Sequence, residues 1–484
     1  MSQSFDSETF SHSFHTSMTD QSRKRVAITG LGLVSPIGSD LDRVWDSLTH
    51  SKSGISRIES LPTASLPIQS GGQVKDFTGA IEDYGDLDKS QQRAIKKNMK
   101  VMCREIEMGV AAAQKALAHS GLGAERNPER CGCLFGCDYI LTRPEEFADG
   151  VRSVRAANGG RFDAADWPQL GLFKVNPLWL LKYLPNMPNS HVSIYNDFRG
   201  PNNSITVREA SSNLSLAEAT SIIQRGSADV MLVGATGTRI HPLRTAHAAL
   251  IEDLASQKSD PSEMSRPFDS SSDGMVLGEG AGALMLECYE HAQRRGAKIW
   301  GEIIGCGSSM VGPTTKNNSQ GQNAGGRSGG DGLSGNGMAP SKGAEVRRDY
   351  LRQAIHLALK AGLRSAGERL PNKWHLHAHG LSSPSADAAE GEAIAELLAE
   401  FPNTPVVAAK SLFGNLGAGS AAIELICSLL ALEHDQLFPI KNLKSPAAYA
   451  RWETGRAGQS AGRAVVHSSF TLQGQASTIV VASV

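Results

Sequence analysis

The stretch VAITGLGLVSPIG, residues 26–38, decides how the rest of the chain is read. Val26 to Val34 is a short, almost wholly apolar run with Gly30 and Gly32 inside it. Such a run, closed by a Gly-rich turn, reads as a strand buried on both faces. A Gly-x-Gly after a strand also invites a dinucleotide-binding reading. That fingerprint needs a third glycine and a capped helix directly after it. Position 35 is Ser35 and no such helix follows. No nicotinamide or flavin cofactor is therefore expected, and no other cofactor is called for.

Upstream, residues 1–24 are rich in Ser, Thr and His and hold no apolar run. They read as a disordered tail, neither a secretory signal nor an Arg-rich transit peptide. Downstream, Met102, Ile106, Val110, Ala113 and Leu117 keep helical spacing until Ser120-Gly121 stops it. Cys131 to Cys137 and Ala228 to Val233 read as buried strands. Ile303-Ile304-Gly305-Cys306-Gly307 then repeats the pattern of Ile28-Thr29-Gly30-Leu31-Gly32. A helix is expected at Leu351, Ile355 and Leu359, and a last strand at Ser477 to Val484. Alternating strands and helices imply a layered α/β fold, and the echo between Gly30/Gly32 and Gly305/Gly307 hints at a duplicated unit. The region from 138 to about 200 contains Trp167, Trp179 and the run 177–181, and reads as a cap or an interface. Residues 311–343, rich in Gly, Ser and Asn, read as a flexible insertion.

Composition excludes several classes. Of 484 residues, 40% are hydrophobic, too many for a disordered chain. Lys and Arg total 48 against 49 Asp and Glu, a net charge of −1, so no basic excess exists for nucleic acid. No stretch of about 18 apolar residues is present to span a membrane. The seven cysteines are odd in number and form no Cys-x-x-Cys pair, which favours a reducing, cytoplasmic setting and argues against a metal site.

Several motifs in order then resemble one family, the β-ketoacyl-acyl-carrier-protein synthases of the elongating type. They are VAITGLGLVSPIG with Trp45 and Ser53-Gly54-Ile55, then Arg199-Gly200-Pro201, then SRPFDSSSDGMVLGEGAG at 265–282. His377-Ala378-His379-Gly380, Asp387, Glu390, Lys410-Ser411 and Gly414 complete the series. The resemblance runs from about Arg25 to Val484. It implies a thiolase-type fold of five layers, αβαβα, built from two similar halves (25–295 and 296–484) that pair as dimers. It also implies fatty-acid or polyketide chemistry. A cysteine at a helix N-terminus takes the acyl chain from the phosphopantetheine of a carrier protein, and two histidines assist decarboxylation of a malonyl thioester. The new carbanion then attacks the acyl-enzyme.

Carried over position by position, the resemblance departs at the nucleophile. The family's cysteine lies seventeen residues before the glycine that here is Gly226, and that position holds Glu209. A carboxylate attacking a thioester would give an anhydride, uphill and rapidly hydrolysed, so Glu209 is expected to stay anionic at its helix N-terminus. Arg208, Lys410 and His379 are the expected partners of that anion. Ser211 and Ser212 are expected to pack in the helix's first turn. The first family histidine matches His379, and the second position holds Asn415, which can donate a hydrogen bond but cannot take a proton. Lys410 is expected to pair with Glu390, with Asp387 in support. The gate loop reads Thr471-Leu472-Gln473-Gly474, where Leu472, Gln473 and Gly474 stand at substrate-binding positions but a phenyl and two glycines are lost. Met275 replaces a phenylalanine, a modest core change.

Whether the chain is an enzyme is thus open. One reading is a partner subunit, like a chain-length factor, in a homodimer or a heterodimer with an active ketosynthase. Others are a malonyl-carrier-protein decarboxylase or another carrier-protein-dependent enzyme using Glu209 and His379. An ordinary 3-oxoacyl synthase, an acyltransferase, remains if the register count is off. In each case an acidic acyl carrier protein is the expected partner. Arg93, Lys96, Lys97 and Lys100 would suit it, or form a merely solvated face.

Overall fold

The computed structural model describes residues 23–123, 125–312 and 342–484. The tail read over 1–24 and the insertion read over 311–343 lie almost wholly outside the described residues. Ten strands form one sheet. They are β1 (Val26–Val34), β2 (Cys131–Cys137), β3 (Asn202–Thr206), β4 (Val230–Thr238) and β5 (Glu279–Cys288), followed by β6 (Gly301–Met310), β7 (His375–His377), β8 (Val406–Val407), β9 (Ala464–Phe470) and β10 (Gln475–Ala482). The order across the sheet is β8-β7-β9-β10-β6-β1-β5-β4-β2-β3.

This order is a pattern stated twice. From β1 outward, β5 and β4 follow antiparallel, then β2 and β3 run parallel to β4. From β6 outward, β10 and β9 follow antiparallel, then β7 and β8 run parallel to β9. Among the described residues the strands of the two five-stranded units pair where Ala27 and Ile28 of β1 face Glu302 and Gly301 of β6. Helices complete the layers. The outer ones, α1 (Arg104–Ser120) and α4 (Lys342–Ala366), cover β1 and β6 respectively; α3 (Pro242–Ile251) follows β4, and α5 (Pro384–Leu398) packs on α4. Between the two units lie α2 (Ser211–Gln224) and α6 (Ser420–Glu433), which touch each other and strands of both. The result is the thiolase-type αβαβα stack.

The glycine echo has a steric cause. A Cβ on Gly30 or Gly32 would fall 2.3 or 2.2 Å from the carbonyl oxygens of Ala116 and Ala112 on α1. On Gly305 or Gly307 it would fall 2.5 or 2.3 Å from those of Gly362 and Ala358 on α4. Each pair lets a helix lie directly on its strand. Gly30 and Gly32 sit inside β1, which spans the whole run read as a buried strand at 26–34. The helix read from Met102 begins at Arg104 and stops at Gly121, whose φ of 62° is left-handed. The central helix α6 is apolar almost all round because it is buried between two sheets. Glu424 on α6 is an exception, buried among leucines and alanines.

Between β2 and β3, the region read as a cap holds two helices, Glu145–Ala157 and Met187–Asn196, joined by short turns. Phe173 (81% exposed) and Ile194 (70% exposed) stand on its surface. The strand β3 lies at the sheet's end, bonded only to β2, with Asn202, Asn203 and Thr206 exposed. Among the described residues no helix is long and apolar enough to cross a membrane.

Candidate functional site

Glu209 stands one turn before α2, in the short turn Arg208–Ala210 that leads into it. The preceding residue, Arg208, has φ of 49°, a left-handed conformation that a side chain adopts only under constraint. Ser211 supplies that constraint. Its Oγ accepts from the Val207 N–H at 2.8 Å and donates to the Cys137 carbonyl at 3.0 Å. Ser211 thus packs in the helix's first turn, and Ser212 is buried beside it.

The Glu209 carboxylate is 6% exposed and lies among guanidinium groups. Arg239 Nη1 donates to its Oε1 at 2.9 Å. Arg208 Nε lies 3.5 Å from its Oε2. Asn415 Nδ2 donates to Oε1 at 3.2 Å. The network continues through Glu252, which accepts from both Arg239 and, at 2.7 Å, Arg208. Asp138 lies 4.0 Å from Arg208 and accepts from Arg244 at 3.0 Å. Three carboxylates and three guanidinium groups therefore balance one another in the interior. Burial alone would raise the Glu209 carboxyl, but Arg208, Arg239, its own N–H and Asn415 hold it below the usual carboxylate range. It is an anion at neutral pH. Sequence reasoning missed Arg239 and Glu252. Lys410 and His379, expected as partners, do not contact the carboxylate. Arg239 takes that place, because it leaves the end of β4 directly beside the turn that carries Glu209.

Asn415 is fixed in orientation. Its Oδ1 accepts from the Gly417 N–H at 3.0 Å, which leaves the NH2 toward Glu209. Met275 is more than a core change. Its Sδ lies 3.9 Å from Arg239 Nη1 and 3.7 Å from Asn415 Nδ2, within the same cluster.

His379 lies on the other side of the Glu209 backbone. Ser469 Oγ donates to the Glu209 carbonyl at 2.8 Å and lies 3.4 Å from His379 Nδ1. Lys410 Nζ meets His379 Nδ1 at 2.9 Å and the His379 carbonyl at 3.0 Å. Burial, then the Lys410 charge, hold the imidazole well below its ordinary value, so the ring is neutral. Because Lys410 donates to Nδ1, the proton sits on Nε2, a buried donor with no partner. No thiol is hydrogen-bonded to His379 among the described residues. Cys137 instead meets Glu105 at 3.5 Å, and burial raises it well above a reactive range.

The pairing of Lys410 with Glu390 is corrected. Lys410 is bonded to Glu424, which also lies 3.2 Å from His467 Nε2. Glu390 accepts the backbone N–H of His379 and Gly380, and Asp387 those of Phe268 and Leu381. Both carboxylates therefore support the backbone around His379. Burial pushes Asp387 up to about 7 and Glu390 up to about 8. Glu424 was missed in the sequence, although a Glu between Ile423 and Leu425, inside the apolar stretch 421–427, marks a buried partner.

The turn Thr471-Leu472-Gln473-Gly474 joins β9 to β10. Gly474 has φ of 90°, and a Cβ there would lie 2.1 Å from the Val311 carbonyl, so glycine is required. Gln473 is exposed. Leu472 lines a cavity with Glu252 and Asp253 whose volume is about 30 Å3, room for one water.

A family model described as "Beta-ketoacyl synthase, N-terminal domain" matches residues 23–292, and one described as "Beta-ketoacyl synthase, C-terminal domain" matches 338–444. The chain belongs to the β-ketoacyl synthase family. It is 30% identical over 433 residues to a 3-oxoacyl-[acyl-carrier-protein] synthase 2 of Vibrio cholerae, covering 88% of this chain and 90% of that one. Two solved structures share the fold at TM-score 0.73 and 21% identity, each covered completely by 96% of this chain. One is a type II PKS acyl-carrier protein in complex with its ketosynthase bound to the hexaketide. The other is the ishigamide ketosynthase/chain length factor.

Proposed function

We propose that this chain is a β-ketoacyl synthase homologue that does not condense by itself and serves as the partner subunit of a cysteine-bearing ketosynthase. The observation that carries the reading is the state of Glu209. A carboxylate held by two guanidinium groups and an amide is anionic and poorly nucleophilic, and it cannot form the stable thioester that carbon–carbon bond formation requires. The space around it is also taken. Arg239, Arg208 and Glu252 fill the cluster, and the cavity beside Leu472 is too small for an acyl chain.

Two surface features support pairing. The strand β3 has an open edge, and exposed Phe173 and Ile194 lie on the neighbouring cap. Unpaired strand edges and apolar surface are covered in stable assemblies. The printed name of the ishigamide ketosynthase/chain length factor provides a precedent for such a pair. Arg93, Lys96 and Lys97 on the exposed face of the helix Lys89–Asn98 suit an acidic carrier protein, as does Lys100 just beyond it. The test is co-purification of tagged chain with a ketosynthase encoded beside it, followed by a condensation assay. A stable pair whose condensation needs this chain supports the reading. A chain that purifies only with itself, and condenses alone, overturns it.

A second reading has one observation in its favour. The free Nε2–H of His379 could donate to a thioester oxygen, as a malonyl-carrier-protein decarboxylase would need. Against it, the Asn415 amide that would share this oxygen is bound to Glu209. Release of carbon dioxide from malonyl-carrier protein, lost on His379→Ala, would establish decarboxylation.

A further inference from the structure

Three adjoining hollows form a trough across the C-terminal end of α4. The first has Arg23, Ser365, Arg369 and Pro371 in its wall. The second, of about 570 Å3, shares Pro371 with the first and is lined by Leu363, Leu370, Trp374, Leu397 and Phe401. The third shares Trp374 and Phe401 with the second. None of their lining residues belongs to the Glu209 cluster or has a role in the proposed function.

The apolar side chains of the second hollow are only partly covered. Leu363, Leu370 and Phe401 pack on the core beneath yet stay half-buried. Trp374 meets Phe401 edge-on, with ring centroids 5.4 Å apart. The charged groups around them are mainly cationic: Lys360, Arg364 and, in the third hollow, Lys373. Lys360 lies 3.7 Å from Glu400. Arg364 and Lys373 are exposed, and neither has an ion-pair partner among the described residues.

Residues 1–22 complement this trough. They hold Asp6, Glu8 and Asp20 but no Lys or Arg, a side-chain charge of −3. Phe10, Phe14 and Met18 stand four residues apart, a spacing that places all three on one face of a helix. The segment joins the described chain at Arg23, in the wall of the first hollow. Phe14 lies nine residues before Arg23, a reach of about 14 Å along a helix or about 30 Å along an extended chain. The end of α4 that separates the first two hollows is ~10 Å wide, so either conformation reaches across. Residues 313–341 suit the trough less well. They contain no aromatic residue, carry Lys316 and Arg327 against Asp331, and join the opposite end of α4.

We propose that residues 1–22 dock in this trough of their own chain, with Phe10 and Phe14 against Leu370, Trp374 and Phe401 and the acidic side chains toward Arg364 and Lys373. This is an apolar face laid into a groove, with charge at the rim fixing its direction. A dry cavity near 150 Å3 holds one benzene, so the second hollow has room for two phenyl rings and the backbone that carries them.

The test is photo-crosslinking of the full chain with benzoylphenylalanine in place of Phe10 or Phe14, on a mixture of light and isotope-labelled chains. Peptide mass mapping should join the probe to residues 360–374 or 397–405 of a chain with the same label. Hydrogen exchange of the full chain gives a second reading. In the double variant Phe10→Ser/Phe14→Ser, amides of 367–374 and 399–405 should exchange at least about threefold faster than in the parent, with the sheet strands unchanged. Crosslinks scattered along the chain, or none, overturn the proposal. So do products joining light to labelled chains, which would assign the trough to a second copy, and so does exchange that the double variant leaves unmoved.

Discussion

Arg239 donates from Nη1 to Glu209 Oε1 across 2.9 Å, with each side chain 6% exposed. A buried pair of this kind adds little to stability as a unit, but removing one partner strands the other. Arg239→Met should therefore destabilise the fold by about 3–5 kcal/mol, and Glu209→Leu by a similar amount. The double variant should recover much of that loss. Urea unfolding of the four chains reads the coupling directly. Additive losses would show that the two groups do not depend on each other.

The acid limb of stability follows from the same anion. The Glu209 carboxyl is held below its unfolded value, so its contribution is present above the unfolded pKa and is lost as pH falls through the folded one. Below about pH 4.3, the unfolded value, Glu209→Gln should lose less stability per pH unit than the parent chain. Parallel curves in this range would contradict the charge state assigned here.

Glu105 acts in the opposite direction. Its folded pKa is raised to about 8, so its favourable contribution is complete below the unfolded value and is lost as pH rises toward 8. Glu105→Gln, which keeps the shape of the protonated acid, should remove that decline. Melting temperatures across the neutral range should fall more for the parent than for the variant.

Lys410 joins Glu424 to His379. Lys410→Met removes the only cation hydrogen-bonded to either group among the described residues. The fold should lose about 3–5 kcal/mol. The His379 imidazole should also titrate at higher pH, because a positive neighbour that opposes its protonation has gone. Nitrogen chemical shifts of the ring would report the change, and an unmoved titration would deny the contact.

Much of the architecture was readable because sterics wrote it into residue type. Gly30 and Gly32, with Gly305 and Gly307, mark where two helices press onto two strands. Helical spacing from Ile106 to Leu117 announced the first of those helices. The position of Glu209 could be counted from Gly226, and Asn415 from Lys410, since both lie on local segments of fixed length. Arg239 and Glu252 could not be found that way. Arg239 reaches Glu209 from the loop after β4, Glu252 joins the cluster through Arg208 and Arg239 from the end of the helix Pro242–Ile251, and no spacing rule links residues that meet only in three dimensions. The partner of Lys410 was misread for a related reason. Glu390 is nearer in the motif, yet the fold spends it on the backbone N–H groups of His379 and Gly380, and α6 turns Glu424 toward the lysine instead.

Intact-mass spectrometry of the purified chain after incubation with an acyl-carrier-protein thioester tests the central claim most directly. With Glu209 anionic and paired inside the protein, the mass should remain that of the bare polypeptide, whether or not an active ketosynthase is added. A mass increase equal to one acyl group on this chain would contradict the account, and mapping that group to any side chain would identify the nucleophile it has overlooked.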